Sequence, residues 1–191
     1  MIKLNLGCGQ NKKDGYVNVD KYDSFQPDVV WDLERFPWPF EDDSVEEIVM
    51  FHSLEHMGAD TETFLSIMKE LYRVAAPDGQ VHITVPHEHS DGFAGDPTHV
   101  RPINGAILSL FSKAKNREWK TLGWPNTPLG MYLDIDFELS RIDHALAQDW
   151  WQRYQSGQIS QQELDFAAKS YRNVISEISV TLIARKEPAR R

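Results

Sequence analysis

The segment Leu4-Asn5-Leu6-Gly7-Cys8-Gly9, which is followed by Asp20, decides the fold that the sequence predicts. Residues 2–6 form a predicted strand that ends at the glycines, and residues 16–20 form a second one that ends at Asp20. Glycine at a strand end lets the backbone approach a ligand closely. Ligands of open parallel sheets bind at the carboxyl ends of strands, where a carboxylate can accept hydrogen bonds from both hydroxyls of a ribose. The segment therefore predicts a nucleoside-binding site.

The rest of the chain alternates between strand-like and helix-like segments, which is typical of α/β proteins. Further strands are predicted at residues 29–33, 47–52, 81–85, 131–140 and 178–184, and helices between Asp60 and Pro77 and at residues 103–115, 142–155 and 161–172. We expect one domain over residues 1–191, built on a mostly parallel sheet. A helical insertion is expected at residues 141–173, before the last strand.

Composition and charge exclude several classes of protein. The net charge is −9 and only residues 185–191, an expected frayed tail, are basic, so a nucleic acid partner is not expected. The single cysteine, Cys8, excludes an internal disulfide. We find no membrane-spanning apolar run and no signal peptide, so we expect a cytoplasmic protein without a membrane partner. Trp150 and Trp151 cannot both face one core from a short helix, which favours a pocket wall or a homodimer contact.

The short connection after Gly9 indicates which nucleoside the site takes. A dinucleotide places its pyrophosphate on the N-terminus of a well-formed helix, but only residues 10–15 separate Gly9 from the second strand. S-adenosylmethionine (SAM) carries no phosphate and needs no such helix, so SAM is favoured over NAD. On the third strand, the Asp32 carboxylate can accept a hydrogen bond from the adenine amino group, and a backbone N–H of Asp32-Leu33 can donate to a ring nitrogen.

With these features in place, the sequence resembles the class I SAM-dependent methyltransferases of type 11. The segments that carry the resemblance are Gly7-Cys8-Gly9, Asp20, residues 31–44, residues 51–56 and residues 71–79. It covers residues 1–86 in register and extends more loosely over residues 96–101. The resemblance implies a Rossmann-like seven-stranded sheet of order 3-2-1-4-5-7-6 with helices on both faces. It also implies a set of cofactor-binding residues, namely Leu6, Gly7, Cys8, Gly9, Asp20, Asp32, Leu33, His52 and Ser53.

Two positions depart from the family pattern. Asn5 stands where the family carries an acid, and Gln10-Asn11 follows Gly9 where a third glycine is usual. We expect the Asn5 amide to orient the glycine loop. We also expect no N-terminal helical lid, so the wall of the acceptor pocket must come from the second half of the chain or from another subunit.

A histidine-rich segment follows the fifth predicted strand, where it is expected to lie over the cofactor. Methyl transfer is an in-line displacement, so an enzyme aligns donor and acceptor and removes a proton where the acceptor requires it. Histidine titrates near neutrality and suits that role. The candidate catalytic residues are His99, with Asp96 as its orienting partner, and His52. The candidate substrate-binding residues are His87, His89 and Arg101.

Two other interpretations of this segment are open. Asp96-Pro97-Thr98 fits a turn, and His99 would then only satisfy loop carbonyls. A metal site is the other alternative, with mixed nitrogen and oxygen ligands from His87, Glu88, His89, Asp91, Asp96 and His99. The spacing of these residues matches no recognised metal motif, so no metal is predicted.

The sequence as a whole predicts a SAM-dependent methyltransferase that acts on an oxygen or nitrogen of a small-molecule or sugar-like acceptor. A SAM- or nucleoside-binding module without catalysis is the first alternative, consistent with Asn5 and the missing lid. An NAD-dependent oxidoreductase is the second, and the short connection after Gly9 disfavours it.

Overall fold

The computed structural model describes residues 1–186 and contains a seven-stranded sheet with the order β3-β2-β1-β4-β5-β7-β6. The strands are β1 (Ile2–Leu6), β2 (Val17–Asp20), β3 (Val29–Val30), β4 (Val45–Phe51), β5 (Ala75–Pro86), β6 (Phe137–Leu146) and β7 (Ile175–Ala184). The first five strands are parallel, and β7 is antiparallel to both of its neighbours. The predicted fold class and strand order are confirmed. Residues 187–191, most of the predicted basic tail, lie outside the described residues.

Helices and turns connect these strands. The helices are α1 (Thr61–Val74), α2 (Asp91–Ala94), α3 (Gly105–Ser109), α4 (Lys113–Leu122), α5 (Leu129–Tyr132), α6 (Gln148–Gln155) and α7 (Gln161–Ser170). Short 3-10 turns lie at Asp23–Phe25 and Leu54–His56. Within residues 1–186, none of the helices is both long and apolar enough to cross a bilayer.

Helix α1 illustrates how the sequence builds one face of the core. The Asp60 side chain accepts a hydrogen bond of 2.8 Å from the Thr63 N–H and so caps the first turn. Apolar side chains recur at helical spacing and are buried, namely Phe64, Ile67, Met68, Leu71 and Val74. Burying a side chain of this size contributes about 1.5–3 kcal/mol. This helix therefore covers the sheet and fixes the loops at both of its ends.

The predicted helix 103–115 is divided into α3 and α4. The Asn104 side chain accepts a hydrogen bond from the Ile107 N–H, and the Ser112 side chain accepts one from the Lys115 N–H. Each short helix therefore has its own N-cap. Phe111 lies between the helices and is fully buried, so the chain turns where this ring enters the core.

Strand β6 lies further along the chain than the alternation of residues 131–140 predicts. Residues 129–132 form α5, and the strand pairs with β7 from Phe137 to Leu146. The helix predicted to start at residue 142 therefore starts at Gln148, because the hydrogen bonds of the sheet edge override local propensity. Within the insertion predicted at residues 141–173, the helices span residues 148–170 and residues 141–146 belong to the strand.

Candidate functional site

A cavity of about 450 Å³ opens at the carboxyl ends of β1, β2 and β4. Seven of the nine residues predicted to bind the cofactor line it, namely Gly7, Gly9, Asp20, Asp32, Leu33, His52 and Ser53. The other two, Leu6 and Cys8, lie in the core beneath it. Burial raises the pKa of the Cys8 thiol and so favours its neutral form. Leu6 and Cys8 therefore support the cavity floor from below.

The glycine loop approaches its neighbours too closely for any other residue at Gly7. This glycine has a φ of +67°, and a Cβ atom there would lie 2.5 Å from the Cβ of Ser53. The Ser53 hydroxyl donates a hydrogen bond of 3.0 Å to the Leu6 carbonyl. Gly9 has a φ of +48°, and a Cβ there would meet nothing within 4 Å. The missing side chain of Gly7 therefore allows the loop to pack against Ser53, whereas that of Gly9 leaves the cavity open.

The amide of Asn5 holds the glycine loop, as predicted. Its Nδ2 donates to the Asn11 carbonyl at 2.8 Å and to Oδ1 of Asn18 at 2.9 Å. The same Asn18 oxygen accepts a hydrogen bond of 2.8 Å from the Lys13 N–H. Because two bonds from one side chain join β1, the loop and β2, the loop is ordered without the acid that the family carries at this position.

The connection between the glycine loop and β2 contains no helix over residues 10–16. The sequence predicts room for one helical turn at most here, and these residues form none, so they offer no helix N-terminus to a pyrophosphate. The loop N–H groups instead face β2, where the Gly7 and Cys8 amides both donate to the Val19 carbonyl at 2.9 and 3.0 Å.

Aromatic residues at the far end of the cavity were not predicted as site residues. Tyr22 and Phe25 follow Asp20 on a 3-10 turn with their rings edge to face, and Trp31 follows the short strand β3. Aromatic rings offer a flat apolar surface for a planar base. Tyr22 and Phe25 lie two and five residues after Asp20, and Trp31 lies directly before Asp32, so closeness to predicted site residues is the sequence signal that could have found them.

A second cavity, of about 470 Å³, lies beside the first, and His52 lines both. Its polar lining includes Ser90, Asp91, His99 and Glu177. His52 lies immediately after β4 with a φ of +49°, a turn that directs its ring between the cavities. The molecule thus places two ligand-sized spaces side by side, with one imidazole at their junction.

Two carboxylates contact His52. Its Nε2 lies 2.9 Å from Oε1 of Glu177, and its Nδ1 lies 3.4 Å from Oε1 of the fully buried Glu55. Glu55 and Glu177 raise the pKa of His52 above its ordinary value, against the opposing effect of burial. Both ring nitrogens therefore face carboxylates, and these two contacts fix the orientation of the ring.

Of the other two predicted catalytic residues, His99 lines the second cavity, whereas Asp96 lines neither of the two cavities. His99 Nδ1 lies 2.9 Å from the Phe93 carbonyl and Nε2 lies 3.8 Å from Oδ2 of Asp96. A carbonyl can only accept, so Nδ1 carries the proton and Nε2 has the free lone pair. The expected Asp96–His99 pair is adjacent, and His99 also satisfies a loop carbonyl.

The predicted substrate-binding residues do not line either of the two cavities described above. Arg101 donates to the Gly58 carbonyl and lies 4.5 Å above the Phe64 ring, so it anchors the loop to α1. His87 and His89 lie with their ring centroids 5.5 Å apart, and burial lowers the pKa of His87. The structure thus places His52 and His99 on the second cavity and leaves Arg101, His87 and His89 outside both cavities.

The aromatic side chains of the second half occupy other positions. Trp150 packs on the small cluster of Leu164, Ala167 and Val174, whereas Trp151 is half exposed. The two tryptophans face different directions, as expected, and the homodimer contact stays a prediction. A larger cavity, of about 730 Å³, lies at the opposite end of the sheet, but its walls are mostly paired charges such as Arg73 with Glu70.

Comparison with known proteins agrees with this geometry. Residues 9–83 match the family model described as a methyltransferase domain. No curated protein matches the chain. A SAM-dependent methyltransferase from Archaeoglobus fulgidus is similar in structure, with a TM-score of 0.62 and 15% identity over 95% of this chain and 85% of that one. One from Mesorhizobium loti has a TM-score of 0.51 and 13% identity over 95% of this chain and 90% of that one.

The same fold also occurs in a protein that is named for another activity. The [4+2]-cyclase SpnF has a TM-score of 0.54 and 13% identity over 97% of this chain and 75% of its own. The family match and the shared fold nevertheless confirm the predicted resemblance to the class I SAM-dependent methyltransferases. They also support SAM as the cofactor.

Proposed function

We propose that this protein is a methyltransferase that binds SAM in the first cavity and transfers its methyl group to a small acceptor in the second. The observation that carries the proposal is the junction of the two cavities at His52. In-line displacement requires donor and acceptor to meet along one axis, and adjoining cavities provide that arrangement.

The first cavity offers each part of SAM a chemically matched surface. The Asp20 carboxylate, which is 8% exposed, faces the ribose hydroxyls, and Asp32 faces the adenine amino group. Trp31 supplies an apolar wall for the base. The open space at Gly9 leaves room for the aminoacyl end.

The second cavity suits a small acceptor with a few polar groups, since its lining is mostly apolar and carries a few polar side chains. Hydroxyl and carboxylate groups of Ser90, Asp91 and Glu177 line it, which suits hydroxyl or amino groups of a small or sugar-like molecule. A net charge of −9 disfavours nucleic acid as acceptor. His99 lines this cavity, and the lone pair of its Nε2 can take a proton from an acceptor or ligate a metal ion.

Calorimetry with SAM, its demethylated product and NAD tests the cofactor assignment. We expect SAM and the product to bind one per chain and NAD not to bind. Binding of NAD alone would contradict the proposal. A screen of small hydroxyl and amino compounds for release of the demethylated product then tests transfer, and SAM binding without turnover of any acceptor would favour a binding module.

A further inference from the structure

The strongest unexplained feature of the molecule is the carboxylate of Glu55. The side chain is 0% exposed, and neither carboxylate oxygen has a hydrogen-bond partner among residues 1–186. His52 Nδ1 lies 3.4 Å from Oε1, outside hydrogen-bond geometry, and its other nitrogen is engaged by Glu177. A buried carboxylate without hydrogen bonds is costly, and the one imidazole that Glu55 shares with Glu177 offsets that cost less than a bound metal ion would.

Two histidines complete a ligand set around this carboxylate. One oxygen of Glu55 and one ring nitrogen each of His56 and His99 lie within 4.8 Å of one another. Tetrahedral bonds of about 2.0–2.2 Å place ligand atoms about 3.3–3.6 Å apart, so these side chains reach one central ion after each moves inward by about 1 Å or less. We infer that Glu55, His56 and His99 form a binding site for a divalent transition metal ion such as Zn²⁺ or Co²⁺, between the SAM cavity and the acceptor cavity.

The hydrogen bonds around both imidazoles engage one ring nitrogen and leave the other free to bind an ion. His99 Nδ1 donates to the Phe93 carbonyl. The Thr98 hydroxyl donates to Oδ1 of Asp96 at 2.6 Å, so at 2.9 Å it accepts from His56 Nδ1. Each ring is therefore an Nδ1–H tautomer with a bare Nε2. Metal-binding histidines show this pattern, because a partner at the second nitrogen fixes the ring and raises its basicity.

The backbone holds the ligands together before any ion binds. Glu55 and His56 are consecutive on the 3-10 turn after β4. The Glu55 carbonyl accepts hydrogen bonds from the Val100 and Arg101 amides at 2.9 and 3.4 Å, which fixes the neighbouring His99. Preorganised ligands lower the free-energy cost of binding an ion.

The ligand types select the class of ion. Imidazole with one carboxylate suits first-row transition ions, whereas Mg²⁺ and Ca²⁺ prefer oxygen ligands alone. Three protein ligands leave coordination positions open. His56 lines the first cavity and His99 lines the second. The open coordination positions therefore adjoin both cavities. If methyl transfer occurs as proposed, the ion holds an oxygen of the acceptor, and this last step alone rests on the proposed function.

Titration of metal-free protein with Co²⁺, which reports its ligands through visible absorption, tests the site directly. We expect one ion per chain, competition by Zn²⁺ and weak binding of Mg²⁺. Glu55→Gln, His56→Ala and His99→Ala are each expected to weaken Co²⁺ binding by more than about 100-fold, beyond the 10–100-fold typical of a lost supporting group. His89→Ala removes a nearby imidazole outside the set and is expected to leave the affinity unchanged.

Several outcomes would overturn the inference. The first is failure of the wild-type protein to bind Co²⁺, and the second is unchanged Co²⁺ affinity in the three ligand variants. The third is a loss of Co²⁺ affinity in His89→Ala as large as that in the ligand variants. His56 is exposed, so its variant is expected to fold even if the Glu55 and His99 variants do not. SAM titration of the wild-type protein separates the two proposals. If the wild-type protein binds Co²⁺ but not SAM, only the proposed function is contradicted.

Discussion

The backbone N–H of Gly9 donates a hydrogen bond of 2.8 Å to Oδ2 of Asp20, so the glycine loop and the proposed ribose-binding carboxylate form one unit. The other oxygen, Oδ1, accepts from the Tyr22 N–H at 2.9 Å. Each oxygen retains a second lone pair for a ligand hydroxyl. The carboxylate is thus oriented before a ligand arrives, which favours tight binding.

Asp20→Ala is expected to weaken SAM binding by about 1–3 kcal/mol, because the ribose hydroxyls would lose their buried partner. Calorimetry on the wild-type and variant proteins measures the difference. Asp20→Asn is the matched variant, since it keeps one acceptor oxygen, and its loss is expected to be smaller. Equal affinities of Asp20→Ala and the wild-type protein would place the ribose elsewhere.

Gly7→Ala and Gly9→Ala are expected to separate stability from binding. Both require alanine at a positive φ, which costs about 1–2 kcal/mol. Only Gly7→Ala adds the 2.5 Å clash with Ser53, an overpacking cost of about 1–3 kcal/mol more. Urea unfolding is expected to show the larger loss for Gly7→Ala. The Gly9 variant adds a methyl group in the open space beside the cavity, so it is expected to weaken SAM binding. Equal losses of stability would contradict the assigned roles.

Glu70 is expected to make stability depend on pH in the acidic range. Its carboxylate, 8% exposed, accepts hydrogen bonds from the Trp38 N–H at 2.6 Å and from Arg73 at 2.7 Å. Burial by itself raises the pKa of Glu70, but Arg73 and the Trp38 amide outweigh it and hold the pKa below its usual range. The folded pKa is below the unfolded value of about 4.3, so the stabilisation is present above that value and is lost as pH falls through the folded pKa.

Glu70→Gln is accordingly expected to be less stable than the wild-type protein by about 1–3 kcal/mol at neutral pH. The difference is expected to shrink in acid, where the wild-type carboxylate is also protonated. Denaturant unfolding of both proteins at neutral pH and in acid measures this difference in stability. A difference that does not change with pH would show that the charge of Glu70 does not contribute.

The part of the site that the sequence predicts is the part built from neighbouring segments. Asn5, Gly9 and Asp20 lie within sixteen residues and at strand ends, so periodicity alone brings them together. The pairing of His52 with Glu177 spans 125 residues and depends on the antiparallel strand β7, which no local pattern specifies. The grouping of His99 with Glu55 and His56 was missed because 44 residues separate Glu55 from His99 in the sequence.

The single helix predicted over residues 103–115 is wrong because tertiary packing decides between two structures that the local sequence permits. The apolar spacing of residues 103–115 fits one helix, but Asn104 and Ser112 are both capping residues. Only the burial of Phe111 between them decides that the chain uses both caps. The sequence pattern is compatible with one helix or with two, and tertiary packing, which the pattern does not show, selects two.

Asn5→Asp is expected to destabilise the protein, although it introduces the acid that is usual at this position in the family that the sequence resembles. Asn5 is 2% exposed, and its Nδ2 donates to the Asn11 carbonyl and to Oδ1 of Asn18. A carboxylate cannot donate, so both acceptors would face another oxygen. Asn18 cannot turn its amide to compensate, because its Oδ1 also accepts from the Lys13 N–H and its Nδ2 donates to Asp28 at 2.9 Å.

The expected loss of unfolding free energy at neutral pH is about 1–3 kcal/mol, the usual result of leaving buried polar groups unpaired. Burial and two facing oxygens would raise the pKa of the new carboxyl group. Its protonated form can donate one hydrogen bond, so the variant is expected to recover part of the loss as pH falls, opposite in sign to Glu70→Gln. Asn5→Ala is the matched control, since it removes both bonds without adding charge and its loss is not expected to recover in acid. An Asn5→Asp variant as stable as the wild-type protein at neutral pH would show that the glycine loop does not depend on these two donated bonds.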